Sequence, residues 1–564
     1  MLEARVSARC VEGEKGRPTP VVVSGLRAAF TIAIVAGVVG SLALAWLPVT
    51  IAGSHFVVDD MSYYLTTARN VVSGRGVSFD GRNPTNGFHP LWLALVCGVE
   101  WLSGTNDALA FHLSLTLAVL GFLATGVLLC REVRDTGPRW LVVPFAVVFF
   151  CNYRLLSVPL SGLESGVAGL SVAAVAVAVA RWADDLDLRR AMALGVLLGL
   201  AVLARMDALL SGGLVLVWLA WRAWLTRSWR RFGAAVVCGA AALLCLVPWF
   251  AFSWGAVHHW LPRSGEAIQT WMPSPWRRPW TSQGLATAVR VTLIGPAGNL
   301  ANLLGISPIV NTDRVSHASG AMALLGVFAI MGWAAWRVRE DVRVQRLSWV
   351  PVVVACHWAY YLRFAGDQQT RYLYPMAVLL FCFAAAVLGA TIRTSGHSRG
   401  WLWATHAGAT AMLLFVAVAG VDAYRLGVAS GYGHRWHVPQ YEGLAPWLET
   451  HTEPSAVVGA FNGGIVSFLS HRTVVNLDGV MNDNAIEALT ARRLCDYIDS
   501  QRLTHLADNE RSIEFFLDAD PSCRASDWRR HWTVVHRVTW PPAGGSESLD
   551  WVVLARQTAA DAAH

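Results

Sequence analysis

Charged side chains are scarce in this sequence. Only 15% of its 564 residues are charged, 54% are hydrophobic, and the mean hydropathy is +0.43. A soluble globular protein carries about 25% charged residues, so this composition excludes an ordinary soluble fold. Long apolar runs recur from residue 27 to about residue 421. The sequence therefore predicts a polytopic membrane protein.

Lysine is almost absent, and Lys15 is the only one in the chain. The net charge of +7 therefore comes from arginine. Many of the arginines stand in short loops between apolar runs, where positive charge sets the topology of a membrane protein. The basic balance is thus no sign of a nucleic-acid partner.

Closely spaced cysteines are also missing, and no Cys-x-x-Cys or Cys/His cluster suggests a zinc site. Cys495 and Cys523 lie in the polar C-terminal part. They are a candidate disulfide if that part is outside the cytoplasm, and two free thiols are the alternative. Six other cysteines lie in apolar runs and are interpreted as small core residues: Cys130, Cys151, Cys238, Cys245, Cys356 and Cys382.

Eleven apolar runs are interpreted as membrane spans. The first is too long for a signal-peptide core and is interpreted as an uncleaved anchor. A further apolar segment, 89–104, has only about 16 residues, too few to cross about 30 Å of hydrocarbon, so we predict a helix at the outer surface. The eleven runs are 27–50, 107–130, 140–158, 163–181, 190–204, 208–224, 232–254, 319–336, 347–363, 372–392 and 401–421.

The distribution of arginine predicts the orientation of these spans. When the N-terminus is placed in the cytoplasm, the short outer loops carry only Arg205 and Arg371, or three arginines if Arg363 at a span edge is counted. The cytoplasmic loops then carry most of the loop arginines, as the positive-inside rule requires: Arg131, Arg134, Arg139, Arg181, Arg189, Arg190, Arg222, Arg227, Arg230, Arg231, Arg337, Arg339, Arg343, Arg346, Arg393 and Arg399.

This threading divides the chain into three parts. A cytoplasmic tail (1–26) precedes an all-α membrane module (27–424) that has two large outer loops, 51–106 and 255–318. The rest, 425–564, is an extracytoplasmic domain. Strand, helix and strand patterns in AVVGAFNGGIVSFLSHRTVVNLDGV, and strand patterns in WTVVHRV and DWVVLAR, predict a small mixed α/β fold there.

Two adjacent acids open the first outer loop. Asp59 and Asp60 begin a helical pattern that runs to about Ser73 and ends before Gly74 and Gly76. Acids at a helix start accept bonds from free backbone N–H groups, so an N-cap is the simplest interpretation. The same setting keeps a carboxylate ionised, which a general base requires. Two acids at the mouth of a membrane cavity therefore also suggest a functional site.

Other ionisable residues stand at the same predicted side of the membrane. Glu164 lies at the outer end of a span, where an ionisable group is a functional candidate and exposure to interfacial water is the alternative. Arg205 and Asp207 form the next outer tip and favour a salt bridge. His258 and His259 begin the second large loop, where they are either structural or ligand-binding.

Arg371 stands in the segment GDQQTRYLYP at an outer span entrance. A cation at this level suits an anionic phosphate group. Anchoring at the interface by Tyr372 and Tyr374 is the alternative interpretation.

Five segments of the chain follow one another in a recognisable order: DDMSYYLTTARNVVSGRGVSFDG, TNGFHPLW, SGLESG, LARMDALL and RYLYP. Together they resemble the membrane glycosyltransferases of the class C fold (GT-C), and most closely the bacterial branch with the four-amino-4-deoxy-arabinose, mannosyl and arabinofuranosyl transferases. The resemblance covers roughly residues 27–380 in layout. It departs from the branch at Arg205-Met206-Asp207, where many relatives have Arg-Pro-Asp.

The resemblance implies a glycosyltransferase of the bacterial cytoplasmic membrane. Its donor is a polyprenyl-phosphate-linked sugar at the outer face, and the sugar is inverted at C1. By position, Asp59 is the general base, with Asp60 beside it. Glu164 matches a carboxylate that positions the acceptor or a metal, and His258 or His259 falls where some relatives bind a metal.

Further roles follow from the same resemblance. Arg371, with Arg205 as a second candidate, falls near the donor phosphate, while Tyr63, Tyr64 and His89 would wall the pocket. The implied partners are the lipid-linked donor, membrane lipids, and a glycan, lipid or protein acceptor, with a divalent cation as a candidate cofactor.

Two other classes of function compete with this one. A transporter or flippase of lipid-linked saccharides predicts ionisable or helix-breaking groups in mid-span and repeated topology, whereas the acids here cluster at outer ends. A structural assembly subunit predicts that the C-terminal domain is an interaction module.

Overall fold

The computed structural model describes residues 20–104, 106–272, 281–306, 314–362, 370–394, 437–540 and 549–557. Within these ranges the chain is mostly helical up to residue 394 and continues into a small mixed α/β region. At this level the predicted fold class is confirmed.

Among the described residues up to 394, the regular elements are helices, apart from one isolated β-bridge between Ser78 and Pro84. A π-helical turn lies at Arg290–Ile294, and 3-10 turns lie at Arg139–Leu141 and Pro159–Ser161. The α-helices are Pro20–Ala45, Val49–His55, Asp59–Val72, Pro90–Ser103, Asp107–Thr136, Val142–Phe150, Tyr153–Ser157, Ser165–Trp182, Leu188–Ala204, Ala208–Leu225, Trp229–Val257, Ser264–Trp271, Ser282–Val289, Gly295–Leu303, Arg314–Arg337, Val342–Arg346, Trp349–Tyr361 and Thr370–Thr394.

The described part of the chain has six helices that are long and apolar enough to cross a membrane. They are Asp107–Thr136, Ser165–Trp182, Ala208–Leu225, Trp229–Val257, His317–Arg337 and Thr370–Thr394. The number rises to eight if each of two bent pairs is one span. The chain is thus a multi-pass membrane protein, although the predicted count of eleven is not confirmed.

The difference from eleven has identifiable causes. The first predicted span bends by 110° between Ala45 and Val49. The third bends by 52°, where Asn152 starts a new helix by accepting a bond from the backbone of Leu155 and donating one to the carbonyl of Leu303. The helices in predicted spans 190–204 and 347–363 have 17 and 13 residues, and the span at 401–421 lies outside the described residues.

Small residues allow the helices to pack closely, as in other membrane bundles. A side-chain carbon on Gly166 would collide with the carbonyl oxygen of Ala118, so Asp107–Thr136 and Ser165–Trp182 cross at this glycine. This contact fixes the start of Ser165–Trp182, and therefore the place of Glu164, which precedes it.

The described residues of the C-terminal region form a five-stranded sheet. β1 (Val457–Ala460) pairs in parallel with β2 (Thr473–Asn476) and β3 (His505–Asn509), whereas β5 (Leu549–Arg556) is antiparallel to β3 and to β4 (Trp532–Trp540). The strand order is β2-β1-β3-β5-β4. The helices are Ala445–His451, Gly464–Ser470, Asp483–Thr490, Leu494–Ser500, Glu510–Ala519 and Pro521–Ser526, with a π-helical turn at Gln440–Leu444 and a 3-10 turn at Trp528–His531.

A disulfide joins Cys495 to Cys523, whose Cα atoms lie 5.0 Å apart. It links the helices Leu494–Ser500 and Pro521–Ser526, which pack on one side of the sheet. Of the alternatives left open by the sequence, the structure has the paired cysteines.

The C-terminal region packs on the first large loop. Tyr63 and Phe79 of that loop share a buried apolar cluster with side chains of the sheet and its helices. Gly87 fits against the carbonyl oxygen of Val480, with no room for a side chain. The carboxyl ends of the parallel strands therefore face the helix Asp59–Val72.

Asn86 connects a third segment to this assembly. Its fully buried amide donates to the hydroxyl of Ser253 at 2.9 Å and to the carbonyl of Leu261 at 3.0 Å, and it accepts a bond from the backbone of Arg263. The side chain of Asn86 therefore cross-links the two large loops.

Candidate active site

The two adjacent acids of the first large loop point to different neighbours. Asp59 is 6% exposed and faces the C-terminal region. Its Oδ1 accepts a hydrogen bond from the backbone N–H of Ile465 at 2.7 Å, and its Oδ2 accepts one from Gly464 at 3.2 Å. Asp60 instead faces the helix Thr370–Thr394. Successive residues of a helix are about 100° apart around its axis, so Asp59 and Asp60 can contact different parts of the protein from the same helical turn.

Burial dominates the electrostatics of Asp59. It raises the pKa of this carboxyl to about 7, and the neighbouring charge of Asp60 acts in the same direction. The backbone bonds from Ile465 and Gly464 oppose this shift because they stabilise the ionised form. Asp59 is thus poised to exchange a proton near neutral pH.

Asp60 forms an ion pair with Arg371, in the first turn of the helix Thr370–Thr394. The guanidinium of Arg371 also lies 5.0 Å from the ring centroid of Tyr372 and donates to its hydroxyl at 3.1 Å. The Nε atom of Arg371 is buried and has no hydrogen-bond partner among the described residues. The Nε–H group of Arg371 could therefore donate a hydrogen bond to a ligand at this point of the site.

Glu164 and Arg205 form a second, more deeply buried pair. Nη1 of Arg205 lies 2.5 Å from Oε1 of Glu164, and the two side chains are 2% and 3% exposed. Arg205 also binds Asp207 at 2.7 Å, and the hydroxyl of Tyr361 donates to the same carboxylate. Burial by itself would raise the pKa of Asp207, but the charge of Arg205 outweighs it and holds the pKa well below its usual range.

His89 joins these groups to the helix Asp59–Val72. Its backbone N–H donates to the hydroxyl of Tyr64 at 2.9 Å. Its Nδ1 accepts from the backbone of Met206, which leaves the proton of the neutral ring on Nε2, 3.6 Å from Oε1 of Glu164. Burial lowers the pKa of His89, which favours that neutral ring.

Two tyrosines border Asp59. The hydroxyl of Tyr63 accepts bonds from the backbone of Gly463 at 3.0 Å and from the amide of Asn476 at 3.2 Å. Tyr441 comes from the π-helical turn Gln440–Leu444 and lies against Gly53. The buried hydroxyl of Tyr441 has no hydrogen-bond partner in the described part of the chain.

His258 and His259 do not join this assembly. Both are exposed, His258 packs edge-on against Trp254, and the carbonyl of His259 accepts a bond from Ser253. Nowhere in the described ranges do three or more His, Cys, Asp or Glu side chains gather so that they could hold a metal. The ligand set expected from the sequence, Glu164 with His258 or His259, does not come together: Glu164 is paired with Arg205, and His89 is the histidine beside it.

The structure thus brings together most of the residues singled out in the sequence: Asp59, Asp60, Tyr63, Tyr64, His89, Glu164, Arg205 and Arg371. It adds others that the sequence did not indicate, namely Tyr361, Tyr441 and the backbone of Gly464 and Ile465. A strand followed by Asn-Gly-Gly predicts a loop at 461–464, but no local signal gives the partner of that loop.

Comparisons with known proteins give limited matches. Residues 432–555 match a family described as a domain of unknown function (DUF8728). No curated protein matches the chain. The crystal structure of ArnT from Cupriavidus metallidurans bound to undecaprenyl phosphate is similar at 14% identity and a TM-score of 0.43, over 93% of this chain and 98% of that one.

The apo crystal structure of the same ArnT is similar at 13% identity and a TM-score of 0.44, over 95% of this chain and 98% of that one. Similarity at this level establishes neither an activity nor a substrate for the present chain. The functional assignment therefore has to come from the site itself.

Proposed function

We propose that this protein is a membrane glycosyltransferase. It would take a sugar from a polyprenyl-phosphate donor and pass it, with inversion at C1, to an acceptor outside the cytoplasm. One observation carries this proposal: the buried carboxylate of Asp59 lies next to Asp60, which is paired with Arg371. Arg371 stands in the first turn of the apolar helix Thr370–Thr394. The order of the five sequence segments that resemble GT-C enzymes supports the proposal.

The chemistry needs a base and a cation at one place. A base must take the proton of the acceptor hydroxyl, so that the hydroxyl oxygen can attack C1 of the sugar. The bond between C1 and the phosphate oxygen then breaks, and polyprenyl phosphate leaves with the bonding electrons. A cation near the phosphate stabilises the charge that develops there. The proton later passes from the base to water.

Asp59 suits the role of the base. A general base works best when its pKa lies near the operating pH, and burial brings the pKa of Asp59 to about 7. Its backbone bonds to Gly464 and Ile465 fix the direction of the carboxylate. Each carboxylate oxygen has a further lone pair for the acceptor hydroxyl.

Arg371 suits the donor phosphate. Its buried Nε has no partner among the described residues, and a guanidinium can bind phosphate through two donors. Asp60 would hold Arg371 in place before the donor arrives. Arg205 is already held by Glu164 and Asp207, so its proposed part is to position Glu164, with which the acceptor would make contact.

The proposal includes an orientation. Asp59, Glu164 and the C-terminal region would lie outside the cytoplasm, where the lipid-linked donor would present its sugar. The apolar polyprenyl chain would stay in the bilayer beside the helix Thr370–Thr394, and the acceptor would come from the aqueous side.

The test is sugar transfer by the purified full-length protein in lipid nanodiscs. The probes are synthetic polyprenyl-phosphate-linked sugars, with an envelope extract of the source cells as acceptor and mass spectrometry of the released polyprenyl phosphate. Asp59→Asn should lower transfer by about 10²- to 10⁴-fold. Asp80→Asn is the matched control, since Asp80 accepts backbone bonds from Arg82 and Asn83 within the same loop, and it should retain transfer.

Normal transfer by Asp59→Asn, by Asp60→Asn and by the double variant would rule out this mechanism. Movement of the lipid-linked probe across the bilayer without release of polyprenyl phosphate would favour the transporter alternative instead.

A further inference from the structure

The loop that touches Asp59 belongs to the C-terminal sheet. It follows β1 and comprises Phe461–Ile465, where it approaches the end of β3. Three of its N–H groups point toward the helix Asp59–Val72: Gly463 donates to Tyr63, and Gly464 and Ile465 donate to Asp59. The base proposed for transfer is therefore held by the backbone of another region.

One buried side chain, Asp508, holds this loop from behind. It stands near the end of β3, is 1% exposed, and accepts bonds through both carboxylate oxygens. Its Oδ2 accepts from the backbone of Phe461 at 2.8 Å and of Asn462 at 2.6 Å, and its Oδ1 accepts from the amide of Asn462 at 3.1 Å. Asp508 thus fixes the start of the loop directly before its contacts with Asp59.

The contact between loop and base has no spare room. A side-chain carbon on Gly464 would lie 2.9 Å from Oδ1 of Asp59 and would also collide with the backbone carbonyl of Asp59. A shift of the loop would therefore move the carboxylate, and a shift of the carboxylate would break its bonds to the loop.

We infer that the C-terminal domain completes the active site, with Asp508 as a positioning residue that acts through the loop Phe461–Ile465 on the carboxylate of Asp59. This inference rests on the proposed function, in which Asp59 is the general base. It gives the region matching a domain of unknown function a defined part in the reaction.

The inference has a measurable electrostatic consequence. The ionisable groups that face Asp59 are Asp60 and Tyr63 on its own helix and Tyr441 on the C-terminal side. The negative charge of Asp60 raises the pKa of Asp59, whereas the hydroxyl of Tyr63 and the loop N–H groups of Gly464 and Ile465 stabilise the ionised carboxylate. Asp508→Asn replaces one of the two accepting carboxylate oxygens by an NH2 group, which only donates, so the loop would loosen and the proton of Asp59 would be held more tightly.

The experiment is an infrared titration of the full-length protein labelled with ¹³C-aspartate, with no substrate present. The signal of Asp59 is identified by its loss in Asp59→Asn. In Asp508→Asn the midpoint of that signal should move upward by about one pH unit, because a hydrogen bond to a charged group has about this effect. In Gly464→Ala the added methyl group would push directly against Asp59. This variant should shift the midpoint in the same direction.

Asp520→Asn is the matched control. Asp520 is a buried carboxylate of the same domain that accepts bonds from the backbone of Ser522 and Leu494, away from Asp59. It should lower stability without moving the midpoint. If Asp508→Asn does not fold, Gly464→Ala decides the question.

An unchanged midpoint in the folded variants would overturn the inference, and so would an equal shift in Asp520→Asn. Since no substrate is used, this result is separate from the proposed function. Absence of sugar transfer by the unaltered protein, together with a shifted midpoint in Asp508→Asn, would contradict the proposed reaction but leave the coupling between Asp508 and Asp59 standing.

Discussion

The helix Ser165–Trp182 carries a charge cluster at each end, and the two differ in the burial of their arginines. At its last turn, Arg181 binds Glu132 at 2.9 Å, and Arg343 binds the same carboxylate at 2.8 Å. These arginine side chains are 42% and 30% exposed. Before its first turn, Glu164 binds Arg205, and both are almost completely buried. The helix is about 27 Å long, so the clusters are independent.

The comparison distinguishes a cluster that only connects helices from one that is suited to a reaction. Ion pairs with an exposed partner contribute little because water and salt screen them. Glu132 is itself only 4% exposed, but its partners Arg181 and Arg343 both reach water. A buried charge is stable only while its partner is present, so removing one partner strongly destabilises the fold. The second cluster also lies beside Asp59, Asp60 and an arginine atom without a partner in the described chain. An arrangement that is costly and incompletely paired is the one expected of a functional site.

The largest difference should appear in stability. Arg205→Met leaves Glu164 and Asp207 buried without their cation, which should cost about 3–5 kcal/mol. Arg181→Met removes an exposed partner of Glu132, while Arg343 remains, and should cost about 0–1 kcal/mol. Thermal unfolding of the detergent-solubilised protein compares the two variants. Equal destabilisation would show that burial does not distinguish the two ends.

The second prediction concerns the lipid donor. Arg371→Ala should weaken binding of polyprenyl phosphate by about 10- to 100-fold, since it removes a charge-assisted contact with phosphate. Arg343→Ala, at the other cluster, is the control and should not change the affinity. Native mass spectrometry with a titrated polyprenyl phosphate measures both. Equal weakening by the two variants would place the phosphate contact elsewhere.

The third prediction is a pH dependence. The pKa of Asp59 is raised to about 7, so the ionised base is lost as the pH falls through 7. The transfer rate should then decrease about tenfold per pH unit below that point. A rate that stays constant down to about pH 5 would indicate an ordinary carboxylate with a pKa near 4 and would exclude Asp59 as the base.

The smallest effect compares two buried hydroxyls. The hydroxyl of Tyr361 donates to Asp207, so Tyr361→Phe should cost about 1.5–3 kcal/mol. The hydroxyl of Tyr441 has no partner in the described residues, so Tyr441→Phe should leave stability within about 0.5 kcal/mol or raise it slightly. Thermal unfolding checks both. A large loss in Tyr441→Phe would mean that its hydroxyl has a structural partner.

Local patterns in the sequence predict part of this structure well. Apolar runs and arginine-rich loops indicate a helical membrane module because composition and length act over one segment at a time. Alternating patterns after residue 454 indicate the mixed sheet for the same reason. The acids Asp59 and Asp60 stand out because two charges directly follow an apolar run.

Contacts between residues far apart in the chain cannot be predicted from local sequence patterns. The carboxylate of Asp59 meets Ile465, and Asn86 meets Arg263, and no periodicity relates such distant positions. Tyr441 has no local signal at all. The span count differs partly because two apolar runs are bent, one at the capping residue Asn152 and one at the break before Val49. Composition alone does not reveal such bends.

The most direct test locates the donor in the bilayer. A polyprenyl phosphate that carries a photoreactive diazirine beside its phosphate can be cross-linked to the full-length protein in nanodiscs, and the labelled peptides identified by mass spectrometry. We expect labels in the helix Asp59–Val72 and in the first turn of Thr370–Thr394. Labels confined to the neighbourhood of Arg181 and Arg343 would contradict it.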